Sequence, residues 1–303
     1  MTDAVTLPGS VVERYRKFSR FNSPYPAHDA GHAIDLYPGD GRGLSPISGV
    51  VQETHTVGCP DRPYGADTDH VIVIELDRGG REAIGAEPGT IARILHVVPE
   101  VKPDDRVAIG DVLGPTTRSG FFGRWVDDHV HLEFRPPDSN PLRASGSLPV
   151  DVDVAVEPVR WDGTGAVIER GAAHVVLDAL ERSSGTEGVF AALASDEGAP
   201  LDGGLAHYAG GGTFERGTSG TERRDPITLL GTAVGTRRGR GIEWEPIEVV
   251  ANGERIVGLS LFASLNERIG VKLVCPDAAF RVGDVVSVEI TASDDPIRLG
   301  VGR

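Results

Sequence analysis

Polar and apolar residues alternate most cleanly over Asp128-His129-Val130-His131-Leu132-Glu133-Phe134, a pattern that predicts a half-buried strand. Side chains two apart on a strand share a face, so His129 and His131 project together while Val130 and Leu132 face the other way. His70 to Leu76 is a continuous β-branched and apolar run and predicts a buried strand. Ile91 to Val98 predicts another, carrying His96. Leu44 to Val51 reads as a strand, a small turn and a second strand, and Val101 to Gly114 as a Lys-Pro-Asp-Asp turn followed by a strand. Upstream, Val11 to Phe21 suits either a short helix or an entry strand, and the two prolines of Asn22 to Ala27 make an extended approach. Short strands separated by turn signals imply an antiparallel β domain over residues 1–145.

A Ser-, Gly- and Asp-rich linker near residues 143–153 ends this pattern. Beyond it, Ala172 to Arg182 has apolar positions at helical spacing and predicts a short helix, while Gly203 to Gly220 reads as a long Gly-rich loop. Strand patterns return at Ile247 to Val250, Gly258 to Phe262, Val271 to Val274 and Val285 to Ile290. The chain is therefore expected to be mainly β, with a second, mostly β domain over residues 150–303 containing one short helix.

Composition narrows the function classes. The net charge is −15, from 45 acidic and 30 basic residues, which argues against a nucleic-acid partner because phosphate binding needs a basic face. Lys occurs only at 17, 102 and 272. An acidic chain with almost no Lys suits a high-salt environment, although GC-rich coding gives the same bias toward Arg, Gly, Ala and Asp. Cys59 and Cys275, far apart, make neither a disulfide framework nor a zinc ribbon. The N-terminal residues lack a basic, then apolar, secretion signal, and no run is long enough to span a membrane. The expectation is a cytoplasmic protein.

The chemistry concentrates at the two ends of the first domain. His28-Asp29-Ala30-Gly31-His32-Ala33-Ile34-Asp35 places two histidines and a carboxylate just before a strand. Hydrolytic zinc sites use three protein ligands and keep one position open. His28 or His32, Asp35, and one of His129 or His131 would supply two nitrogens and one oxygen. An odd spacing puts His32 and Asp35 on opposite faces of an extended strand, whereas Gly31 lets His28 fold back, so periodicity favours His28. His55, His70 and His174 read as surface or core histidines, and His207 to Gly212 lacks the Lys of a phosphate loop.

Taken in order, Ala33-Ile34-Asp35-Leu36-Tyr37, Ser45 to Val51, Ile94-Leu95-His96-Val97, Val101 to Gly114 and His129-Val130-His131-Leu132-Glu133 resemble the M23 family of zinc metallopeptidases, the lysostaphin-like or LytM group. The resemblance covers roughly residues 22–140 and lies in the order and spacing of these runs. Usual members have three residues between the first His and Asp; here six residues separate His28 from Asp35 and two separate His32 from it. His28-x-x-Gly31-x-Ala33-x-Asp35 also resembles the first motif of the related D-Ala-D-Ala metallopeptidases and hedgehog-like domains. The resemblance implies a lysostaphin-like domain, with Zn2+ held by His28 or His32, Asp35 and His131, and with His129 and His96 as base or oxyanion stabilisers. It implies that Glu133 orients a ligand and that the substrate is a peptide or contains one. The competing class is a non-catalytic metal-binding or ligand-binding module on a degenerate peptidase fold.

Overall fold

The structure, a computed structural model, describes residues 4–181, 188–215, 224–266, 268–276 and 279–300. The chain divides into two compact units, one of residues 1–18 and 26–154, the other of residues 19–25 and 155–301. Both are built on strands, as the alternation predicts. Among the described residues the helices are three short segments, Gly9–Val12, Pro26–Asp29 and Arg78–Ile84. Among the described residues no helix is long and apolar enough to cross a membrane.

In the first unit six antiparallel strands lie side by side in the order Ala33–Tyr37, Val130–Arg135, Ile91–Leu95, Thr68–Leu76, Gly49–Gly58 and Arg106–Val107. Val130–Arg135 sits between Ala33–Tyr37 and Ile91–Leu95, and its register sets the site. His131 lies opposite Asp35 on one side, and Glu133 lies opposite Arg93 on the other. Residues directly opposite on antiparallel strands hold their Cβ atoms about 4.5–5.5 Å apart, close enough for their side chains to bond.

The half-buried strand expected here is fully buried along its length, as is Ala33–Tyr37. Val130, Leu132 and Phe134 face the apolar core, each of the larger two contributing about 1.5–3 kcal/mol. The alternate residues, His131, Glu133 and Arg135, are also covered, and they stay polar because they bond one another or nearby backbone. The histidine expected on the Ile91 strand lies just past its end: the strand closes at Leu95 and His96 takes a left-handed backbone, φ 66°. Helix Arg78–Ile84 starts on Asp77, whose carboxylate accepts from the Gly80 N–H at 2.7 Å, and stops at left-handed Gly85.

Val11 to Phe21, open between helix and strand, contains both: the Gly9–Val12 turn and the Lys17–Ser19 strand.

The second unit corrects two expectations. The stretch expected to be helical forms the strand His174–Glu181, with Arg182 outside the described residues. β-branched Val175 and Val176 favour extended backbone, and the strand gains partners on both sides, Thr164–Arg170 and Arg268–Val274, which outweigh a weak helical periodicity. Nor is the Gly-rich run one long loop: where it is described, a short turn at residues 206–209 joins two strands. Leu201–Leu205 and Gly210–Thr213 pair as antiparallel strands, and residues 216–220 lie outside the described set. The glycines let large rings lie on the sheet: a Cβ on Gly211 would meet the Trp244 ring at 2.3 Å, and one on Gly212 would meet Phe21 at 2.3 Å. Around these strands runs a twelve-stranded sheet from Arg224–Leu229 to Glu254–Ile256, over a core that includes Leu177, Leu201, Leu229, Val249 and Leu273. The inserted segment 19–25 is tied in by buried Asp202, which accepts from the Ser19 hydroxyl at 2.6 Å and the Arg20 and Phe21 N–H groups at 2.7 and 3.2 Å.

Candidate metal centre

His28 reaches the site through a local reversal. Pro26 opens a single helical turn, and Gly31, at φ 68°, ends it in the left-handed region where glycine carries no Cβ penalty. The Gly31 N–H donates to the His28 carbonyl at 2.9 Å and the Val150 N–H to the Gly31 carbonyl at 3.0 Å, fixing the turn. His28 is thereby buried beside Asp35. His32, partly exposed one residue beyond the turn, is not a member of the cluster.

Three donor atoms converge. Asp35 Oδ1 lies 2.8 Å from His131 Nδ1 and 3.3 Å from His28 Nε2, and the two imidazole nitrogens are 3.2 Å apart. Ligands about 2.0–2.1 Å from a tetrahedral zinc stand about 3.3 Å from one another, so this triangle matches one face of such a site with little movement. Two imidazole nitrogens and one carboxylate oxygen also suit a borderline-soft divalent cation. The buried His28–Asp35–His131 group could therefore bind a metal.

The other nitrogen of His131 is equally well placed. Its Nε2 lies 2.8 Å from Glu133 Oε1, the arrangement in which a ligating histidine gives its second N–H to a carboxylate. Glu133 is held in turn by Arg93 at 3.1 Å, Arg135 at 2.9 Å and the Ser147 hydroxyl at 2.6 Å. Burial works against charge on both partners, but His131, the Arg93 charge and the Ser147 hydroxyl keep Glu133 ionised, well below the usual carboxylate range. Burial would likewise lower His131, yet its bonds to Asp35 and Glu133 win and raise its pKa to about 9. Burial also opposes charge on Asp35, and the neighbouring His129, His28 and His131 more than offset it, so Asp35 stays ionised well below its ordinary value. Without a metal, a proton on His131 takes up the negative charge of the site.

Two family models meet the chain. Residues 6–152 match the N-terminal domain of DUF8155, a domain of unknown function, and residues 157–291 match the C-terminal domain of the same family. The chain belongs to the DUF8155 family. Among solved structures, the antimicrobial peptidase lysostaphin from Staphylococcus simulans aligns over 90% of this chain and 96% of its own, with 13% identity and a TM-score of 0.27. At that score the likeness carries no weight, and the chemistry of the site stands on its own residues. No curated protein matches the chain.

In this DUF8155 chain His129 and His96 flank the triangle without joining it. Their rings meet edge to face, with centroids 4.8 Å apart, and Phe122 packs on both, at 4.8 Å from His129 and 5.2 Å from His96. Tyr37 closes the far side of His129 at 5.2 Å. His129 Nδ1 lies 2.8 Å from the Asp127 carbonyl, which only accepts, so Nδ1 carries the proton and Nε2 keeps its lone pair. That lone pair sits 3.4 Å from Asp35 Oδ1. Burial is the chief cause that lowers the His129 pKa, to about 4, so it is neutral near pH 7. The proton that His131 Nδ1 holds 2.8 Å from the same Asp35 oxygen offsets the repulsion between these two acceptors.

Asp69 stands outside every motif of the sequence. It is fully buried and bonds His96 Nδ1 at 2.6 Å. The register Val71↔Leu95 carries Asp69 to the end of the sheet where the chain turns at His96. The available signal was a carboxylate at even spacing from Val71 and Val73, on the face a buried strand keeps apolar. Arg93 and Arg135 were missed for the same reason, as charges inside strands. His55 pairs with Glu53 at 2.6 Å and His70 lies 3.3 Å from the Thr56 hydroxyl, both away from the cluster, and His174 and His207 belong to the second unit. Cys59 and Cys275 are free thiols.

Proposed function

We propose that the first domain is a zinc-dependent peptide hydrolase of lysostaphin-like type, with His28, Asp35 and His131 as the metal ligands. The observation that carries this reading is the convergence of Asp35 Oδ1, His28 Nε2 and His131 Nδ1 beside two further buried imidazoles that are not ligands. The chemistry gained with zinc bound is water activation and carbonyl polarisation. The chain's own residues supply the rest. Glu133 takes the Nε2–H of His131 and fixes the ring so that Nδ1 faces Asp35. Neutral His129, whose Nε2 lone pair lies over Asp35, can accept a proton from an attacking water. His96 stands against His129, placed to accept a proton and pass it on to a leaving amine. Phe122 and Tyr37 cover these rings and keep bulk water from them.

The test is cleavage of peptide libraries, Gly-rich sequences included, by the full chain loaded with zinc and by the same chain stripped with chelator. Zinc-dependent cleavage that His129→Ala abolishes supports the reading. Tight zinc binding with no cleavage of any peptide would make the site a metal-binding module and overturn the catalytic reading.

A further inference from the structure

We infer that Asp69 is the positioning residue that sets the tautomer of His96, an inference that rests on the hydrolytic reading of the site. Asp69 is 0% exposed, and each of its oxygens is committed. Oδ1 accepts from the His70 main-chain N–H at 2.7 Å. Oδ2 accepts from the Ser119 hydroxyl at 2.9 Å and meets His96 Nδ1 at 2.6 Å. Both carboxylate positions are therefore fixed by donors that belong to the strand and to the loop facing it. The pairing is strong: burial alone would raise the Asp69 pKa, but the bonds from His96, His70 and Ser119 bring it down to about 2.

An ionised carboxylate only accepts, so neutral His96 must carry its proton on Nδ1. Its Nε2 then keeps a lone pair, on the side of the ring away from Asp69. His96 needs such fixing, because it follows the last strand residue with a left-handed backbone and its ring leans on two other imidazoles, His129 at 4.8 Å and His131 at 5.6 Å. Without Asp69, either tautomer would fit, and half of the molecules or more would offer an N–H where an acceptor is required. Asp69 does for His96 what the Asp127 carbonyl does for His129, so the two flanking histidines present the same Nε2 lone pair.

The geometry gives an isosteric test, Asp69→Asn. The His70 N–H is a fixed donor, so the amide oxygen of Asn settles at the Oδ1 position and the amide NH2 takes the Oδ2 position, facing His96 Nδ1. An NH2 group can only donate, so His96 moves its proton to Nε2, while the Ser119 hydroxyl turns to accept. The shape of the site is kept and the polarity of one ring is reversed. Imidazole 15N shifts of the full-length zinc-loaded protein report the tautomer directly, and zinc content and peptide turnover are measured on the same samples. The expected result is a proton on Nδ1 of His96 in the parent, a proton on Nε2 in Asp69→Asn, unchanged zinc content, and a kcat loss of about 100-fold or more with KM nearly unchanged. Ser119→Ala should leave the tautomer as in the parent. The same His96 tautomer in parent and Asp69→Asn, or equal kcat in the two, overturns the inference. A parent protein that cleaves no peptide overturns the hydrolytic reading instead, and the 15N comparison still decides the part played by Asp69.

Discussion

Zinc uptake by this site should be tied to the release of a proton from His131. Metal and proton compete for Nδ1, the nitrogen 2.8 Å from Asp35, and the two flanking carboxylates raise the pKa of the ring to about 9. At pH 7 such a group is protonated about 100 to 1, and removing the proton costs about 2.7 kcal/mol. The apparent zinc affinity at pH 7 should therefore be about 100-fold weaker than the limit reached above pH 9, falling about tenfold per pH unit in between. Calorimetric zinc titrations between pH 6 and 9, in two buffers of different ionisation enthalpy, measure both quantities. About one proton released per zinc at pH 7, tending to none above pH 9, is the expected outcome. The metal-free protein should show the mirror image in its stability. The folded pKa is raised above the unfolded value of about 6.5, so the protonated ring stabilises the fold fully below pH 6.5. That contribution, up to about 3 kcal/mol, should be lost as pH rises through about 9. Zinc affinity independent of pH over this range, with no proton released, would refute the assignment of His131 as a ligand whose proton the metal replaces.

Further outcomes follow from the same geometry. His28→Ala should cut zinc affinity by orders of magnitude while His32→Ala leaves it near the parent value; equilibrium dialysis of the two side by side checks which histidine belongs to the site, and the opposite order would exclude His28. His129→Ala and His96→Ala should each keep zinc at parent stoichiometry and lose about 10²–10⁴-fold in kcat, read from peptide cleavage; full activity in both would exclude the mechanism. Asp202→Ala should destabilise the second unit by about 3 kcal/mol or more in denaturant unfolding, since three donors of residues 19–21 lose their acceptor, and a change under 1 kcal/mol would show that these bonds count for little.

Much of the fold and part of the site were legible in the sequence because the period of two is a strong local signal. His129 and His131 fall on one face by periodicity alone, and β-branched runs mark Thr68–Leu76 and Ile91–Leu95. Gly31 marks the reversal that brings His28, rather than His32, to Asp35. What failed depended on neighbours distant in sequence. His174–Glu181 is a strand because two others pair with it, and Leu201–Leu205 and Gly210–Thr213 form a hairpin because large rings need glycine beneath them. Asp69 and Arg93 act through partners 27 and 40 residues away that the sheet brings beside them, and a buried charge within a strand shows its role only when that partner is known.

The measurement closest to the central claim is the metal content of the full-length protein purified without added metal, followed by titration of the chelator-stripped protein with zinc, for the parent and for His131→Ala. The expected result is about one equivalent of zinc bound or taken up by the parent, and none by His131→Ala at equal folding by circular dichroism. A parent that takes up no zinc at any pH between 6 and 9, or a His131→Ala protein that binds it as tightly, would contradict the account.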